Sequence, residues 1–214
     1  MNSRTLILLA VLVPVLSGCF GAAAVGVGAG ALMVADRRLS ETYLADEGIE
    51  IRAANRISEK YGDRVHVNVT SYNRTVLLSG EVPDAATKAE VEKIAAGVPN
   101  VKAISNELQV AGNSSLSSRS NDVYLTSKVK ARFIDANRFS VNHVKVVTED
   151  AVVHLMGLVT QSEANAAVEI ARTTAGVKKV VRVFEVISEE EARRLNTLSS
   201  SQSTPAKQPA APVQ

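Results

Sequence analysis

Apolar residues along this chain follow two periods, and the order of the periods occurs twice. Residues 47 to 61 place Ile49, Ala53 or Ala54, Ile57 and Tyr61 on one helical face, and residues 122 to 134 do the same with Leu125, Val129 and Phe133. Val65, Val67 and Val69 then alternate with polar residues, as do Val144 and Val146, the period of a half-buried strand. A turn at Tyr72-Asn73 or Glu149-Asp150 leads into a second strand, Thr75 to Ser79 or Ala151 to Met156. Gly80 and Gly157 close it, where the backbone bends or meets a close neighbour. A second helix follows Asp84 or Thr160, and Thr160 with Glu163 spells a capping box. Val101 to Val110 or Val177 to Ile187 supplies a third strand.

The two series align residue by residue. Val76, Leu78, Gly80 and Val82 are answered 77 positions later by Val153, Leu155, Gly157 and Val159. After a slip of one, Ile94-Ala95 and Val101-Lys102 are answered by Ile170-Ala171 and Val177-Lys178. Two copies of an αββαβ unit are the economical explanation. A hairpin makes the first two strands antiparallel, and the helical crossover makes the second and third parallel. The predicted class is α+β: two tandem αββαβ domains, each a three-stranded mixed sheet covered on one face by two helices.

The boundaries follow from composition. Arg4 and the apolar run that ends at Leu16-Ser17-Gly18-Cys19 read as a removable export signal, residues 1 to 18, with Cys19 as a lipidated first residue. Phe20 stands where an Asp would favour the inner membrane, so sorting points to the outer one. Residues 19 to 45 form the lipidated end and a tether. Within it Gly26, Gly28 and Ala31 match a dinucleotide fingerprint but lack the strand that the motif needs in front. The run from Cys19 to Ala35 is also short and weakly apolar for a membrane span. The first domain covers 46 to 110, a Ser-rich linker 111 to 121, the second domain 122 to 188. Residues 189 to 214 form a tail that is Ser-rich and then carries Pro205, Pro209 and Pro212, a composition expected to be disordered toward its end.

Charge and chemistry narrow the function. The total of +2 implies no polyanion partner, and with aromatics at 4% and no Trp there is no stacking platform for nucleic acid. The balance is uneven, however. Residues 46 to 110 carry 8 basic and 10 acidic groups, and residues 122 to 187 carry 9 and 7, so the second domain suits an anionic surface better. In its first helix, Tyr124 and Lys128 are neighbours at i, i+4 beside the inward stripe, with Arg132 one turn on and Lys130 on the opposite flank. Tyr at a headgroup boundary beside snorkelling cations is a membrane-surface pattern. His66, His143 and His154 lack metal-binding spacing, and His66 and His143, at equivalent positions, read as paired surface histidines. One cysteine leaves no disulfide, and no nucleophile elbow or metalloprotease motif is present. No enzyme, cofactor or metal is expected.

The motifs Leu78-x-Gly80-x-Val82 and Leu155-x-Gly157-x-Val159, the Gly176-Val177 pair and the Ser120-Asn121-Asp122 run ahead of the second repeat resemble the BON domain, a bacterial module of osmotic stress and membrane association. Two such units behind a lipobox resemble dual-BON outer-membrane lipoproteins. That resemblance implies a periplasm-facing protein that binds anionic phospholipid through the first helix of the second domain, with Tyr124, Lys128 and Arg132 as contacts. It further implies support of envelope integrity and enrichment at division sites. Tyr124 stands where the resembling proteins carry Trp. The rival reading is a scaffold for envelope protein partners that makes no direct lipid contact.

Overall fold

A computed structural model describes residues 36 to 202 of the chain. The signal, Cys19, the Gly- and Ala-rich run and the Pro-containing end lie outside the described residues. The first domain comprises α1 (Ser40–Tyr61), β1 (His66–Tyr72), β2 (Thr75–Val82), α2 (Ala85–Ala96), β3 (Ala103–Asn106) and β4 (Gln109–Val110). The second comprises α3 (Leu116–Ala136), β5 (Lys145–Glu149), β6 (Val152–Val159), α4 (Gln161–Arg172) and β7 (Lys179–Val186), followed by α5 (Glu189–Gln202). Both domains are αββαβ as expected. β1 and β5 run antiparallel to the central strands β2 and β6, and the last strands run parallel to them. In the first domain the third strand is split: β3 and β4 both pair with β2, and between them Leu108 turns its buried side chain into the core.

Each core lies between one sheet face and two helices. Ile49, Ala53 and Ile57 of α1 and Val91 and Ala95 of α2 pack on Val76, Leu78 and Val82. Their counterparts are Val129 and Phe133 of α3 and Ala167, Ile170 and Ala171 of α4, packed on Val153, Leu155 and Val159. The capping box at Thr160 is formed in full, and Asp84 caps α2 through the Thr87 amide.

A buried aspartate holds each hairpin turn. Both turns put two non-glycine residues at positive φ, Asn73 and Arg74 in one and Asp150 and Ala151 in the other. This is the twist that a two-residue connection requires. Asp46 of α1 accepts from the Asn73 amide at 2.8 Å and the Arg74 amide at 2.7 Å, and Asp122 of α3 accepts from Asp150 and Ala151 at 3.0 and 2.8 Å. Asp122 therefore sits inside its helix and secures a distant turn, rather than serving the helix end.

The second face of each sheet is covered by the other domain. Tyr72 and Leu77 from the first sheet form one buried cluster with Met156 and Leu158 from the second, flanked by Val147, Val183, Ile187 and Leu195. The order of layers is helices, sheet, sheet, helices. β2 and β6 are consequently buried at almost every position instead of alternating. Polar links rim the contact: Lys145 with Glu50 at 2.9 Å, Asn73 donating to Glu185 at 2.8 Å, and Asn68 donating to Glu149 at 2.8 Å.

Secondary structure reaches past the expected domain boundaries in three places. The tether was expected to run to residue 45, but α1 begins at Ser40, and the preceding Arg37 and Arg38 are buried. Arg38 pairs with Asp36 and Asp46 and lies over the Tyr72 ring at 4.1 Å. Arg37 reaches the second domain, forking onto Glu163 and donating to the Leu158 carbonyl at 2.8 Å and to Asn196 at 2.9 Å. The linker was expected to run to residue 121, but α3 begins at Leu116, capped by Ser115. The tail was expected from residue 189, yet α5 occupies its start. Ala192 is buried there and Leu195 packs on the interdomain cluster, while three glutamates in the first turn complement the helix dipole.

Candidate functional site

The helix singled out by the sequence, α3, stands on the outside of the second domain. Its inward line is Asp122, Leu125, Val129 and Phe133, and Asn137 ends it in the left-handed conformation at φ 46°. Twenty-one residues give it a length of about 31 Å.

Its outward line is apolar to a degree that the sequence reading missed. Leu116, Val123 and Ile134 are 81%, 68% and 62% exposed, and Tyr124 is 62% exposed. Leu116, Val123 and Ile134 are spaced seven and eleven apart, close to two and three whole turns, so they share one stripe with Tyr124 beside it. The signal was present as apolar residues off the inward stripe, which the helical wheel shows once the inward residues are removed. Lys130 is exposed beside the stripe and, among the described residues, has no ion-pair partner.

The predicted contacts separate into two kinds. Tyr124 is outward, and the Lys128 ammonium lies 5.8 Å from its ring centre. Lys128 also donates to the Ala175 carbonyl at 2.9 Å, just beyond α4. Arg132 is turned away from the stripe. It donates to the Ile170 carbonyl and the Thr174 hydroxyl, each at 2.8 Å, and so satisfies the carbonyl end of α4. Arg56 of α1 does the same for α2 through the Gly97 carbonyl. The two arginines are equivalent positions of the repeat with one structural task. Cys19 lies outside the described residues.

The histidines are not surface residues. His143 and His154 are buried, and burial lowers the His154 ring below the usual histidine range. His66 sits at the interdomain rim, 2.8 Å from Glu81.

Geometry defines the class: a tandem of αββαβ domains fused face to face through their sheets. The BON domain profile matches residues 46–112 and 121–188. The chain is 40% identical to Outer membrane lipoprotein DolP of Haemophilus influenzae over 80% of this chain and 90% of that one. It is 31% identical to a 21 kDa hemolysin of Actinobacillus pleuropneumoniae, covering 71% and 79%. It is also 36% identical to Osmotically-inducible protein Y of Escherichia coli, covering 53% and 58%. The chain belongs to the BON-domain family, as a dual-BON outer-membrane lipoprotein of the DolP type. Among the described residues, no helix is long and apolar enough to cross a membrane.

Proposed function

We propose that this lipoprotein binds anionic phospholipid with the outward face of α3 and thereby supports envelope integrity, with enrichment at division sites. The observation that carries the reading is the exposed stripe of Val123, Tyr124 and Ile134 beside Lys130 and Lys128. Apolar side chains exposed in line along one helix mark an interaction surface, and at a headgroup boundary they bury apolar area while lysines reach phosphate. Arg132 supports the surface from behind by fixing α4 against α3.

Vesicle binding by a soluble mature form without Cys19, with NMR on the same form, tests it. Vesicles with anionic lipid should be bound and purely zwitterionic ones ignored. Lys128→Glu with Lys130→Glu should weaken binding at least about tenfold, since each cation near such a surface contributes about 1 kcal/mol. Tyr124→Ala should weaken it without altering the salt dependence. Binding that is indifferent to both changes refutes the lipid reading and favours the scaffold, with the stripe as a protein contact.

A further inference from the structure

At the rim where the two sheets meet, three side chains from three strands converge. His66 of β1, Glu81 of β2 and Glu149 of β5 each offer a donor atom, and these atoms all lie within 4.8 Å of one another. The His66 Nδ1 is 2.8 Å from Glu81 Oε2 and 3.8 Å from Glu149 Oε1. The side chains are only 16%, 6% and 6% exposed. Two residues come from the first domain and one from the second.

The surroundings do not neutralise the cluster. Among the described residues neither Glu81 nor Glu149 pairs with a lysine or arginine. Arg119, which lines the same cleft, donates to the Ser114 hydroxyl. Burial pushes the Glu149 carboxyl up, and the charges of Glu81 and Asp122 push the same way against the Asn68 hydrogen bond and His66. Two half-dry carboxylates thus face one imidazole with no lysine or arginine paired to them among the described residues.

The donors are also held by neighbouring groups. Asn68 donates to the far oxygen of Glu149, and the Ser114 amide donates to Glu81 Oε2, the oxygen that faces His66. Ser79 stands opposite Asn68 in the β1–β2 register and two residues from Glu81 on the same sheet face, with its hydroxyl buried and unpartnered. A cleft of about 420 Å³, lined by His66, Asn68, Arg119, Thr126 and Glu149, opens onto the cluster from solvent. Preoriented donors, an uncompensated negative charge and an entry path are the requirements for a metal site.

We propose that His66, Glu81 and Glu149 form a site for one divalent transition ion of the zinc class that clips the two BON domains together. An imidazole with two carboxylates is a zinc donor set, and it disfavours magnesium and calcium, which take oxygen alone. Bonds of about 2.0–2.1 Å in a tetrahedron set neighbouring donors about 3.3 Å apart, a spacing inside the observed range. Three protein ligands leave the fourth position to water from the cleft. The ion ties β1 and β2 to β5 and closes the rim of the sheet-to-sheet contact.

The test is titration of Zn²⁺ alone into chelator-stripped mature lipoprotein in detergent, by calorimetry and thermal melting, with Mg²⁺ and Ca²⁺ in parallel. One zinc per chain should bind, and the melting temperature should rise with zinc and not with the other two ions. His66→Ala and Glu149→Gln should each weaken zinc binding at least tenfold, and His143→Ala should leave it unchanged. Glu149→Gln without metal should melt no lower than the parent, because it removes a buried charge, which separates loss of the site from loss of the fold. Equal zinc affinity in the parent and Glu149→Gln, or an equal response to magnesium, overturns the proposal.

Discussion

Arg37→Ala should cost this protein far more stability than a position outside the two matched domains would suggest. The side chain lies ahead of both domain profiles, in a stretch that a domain-based truncation would discard. Yet its guanidinium is 3% exposed, and it holds both oxygens of Glu163 as well as the Leu158 carbonyl and Asn196. Removing it leaves a half-buried carboxylate and a strand carbonyl without partners, a loss of about 3 to 5 kcal/mol for a broken buried pair. At about 2 to 4 °C per kcal/mol for a protein of this size, the melting temperature should fall by roughly 6 to 20 °C. The acid limb gives a second readout. Burial pushes the Glu163 carboxyl up, but the His143 ring, the Arg37 fork and the Thr160 amide outweigh it and hold the group at about 2, below its ordinary 4.5. A depressed carboxylate stabilises the fold above its unfolded value, and that contribution disappears as pH falls through the folded one. The parent should therefore lose stability between about pH 5 and pH 2, and Arg37→Ala, having less to lose, should converge with it there. Urea melts at pH 7 and pH 3 check both points. A variant that melts within 1 °C of the parent, or a gap that is as wide at pH 3 as at pH 7, refutes the clamp as described.

Gly80→Val should destabilise the first domain by at least about 3 kcal/mol, because φ is +113° and a Cβ there would overlap the His66 carbonyl. Gly157→Val should do the same to the second domain against the His143 carbonyl, and unchanged urea melts would contradict either contact. Asp46→Ala should cost about 3 kcal/mol by stranding two turn amides, the Ser71 hydroxyl and Arg38, and amide exchange should quicken first at Asn73 and Arg74. Cys19→Ala should leave the chain unlipidated and released from membranes, and its persistence in a detergent-requiring fraction would assign anchoring to residues 20 to 35 instead.

Local order was legible because each element carries its own period. The alternation of Val65, Val67 and Val69 and the four-residue spacing of Leu125, Val129 and Phe133 depend on nothing distant, so the αββαβ order and its repetition could be read directly. Contacts between repeats leave no such trace. Tyr72, Leu77, Met156 and Leu158 look like ordinary strand residues, and only the mutual covering of two sheet faces explains why both neighbours in each strand are apolar. Arg37 and Arg38 read as the polar end of an apolar run, since a sequence cannot show that Glu163 and Asp46 wait across the fold. Arg132 follows Lys128 by one turn and reads as a further outward cation, because a wheel does not reveal that the carbonyl end of α4 lies beside it. His66, Glu81 and Glu149 have no motif spacing because the register of one hairpin and the packing of two domains bring them together.

The buried Asp36–Arg38 segment also fixes the length of the mooring line. Sixteen residues lie between Cys19 and Asp36, so whatever their path the domain pair stays within about 60 Å of Cys19. Asp36 and Arg38 line the same groove as Lys130 and Ile134 of α3, so the line is made fast beside the helix rather than at the far side of the molecule. Confinement of one molecule to a half-sphere of about 60 Å radius corresponds to an effective concentration of a few millimolar at the bilayer. A headgroup contact with a dissociation constant near 100 µM, too weak to recruit a free protein, would then be occupied most of the time. On the proposed lipid contact, Tyr124 in place of a larger aromatic would suffice under those conditions, and the surface could let go and rebind as the lipid beneath it changes.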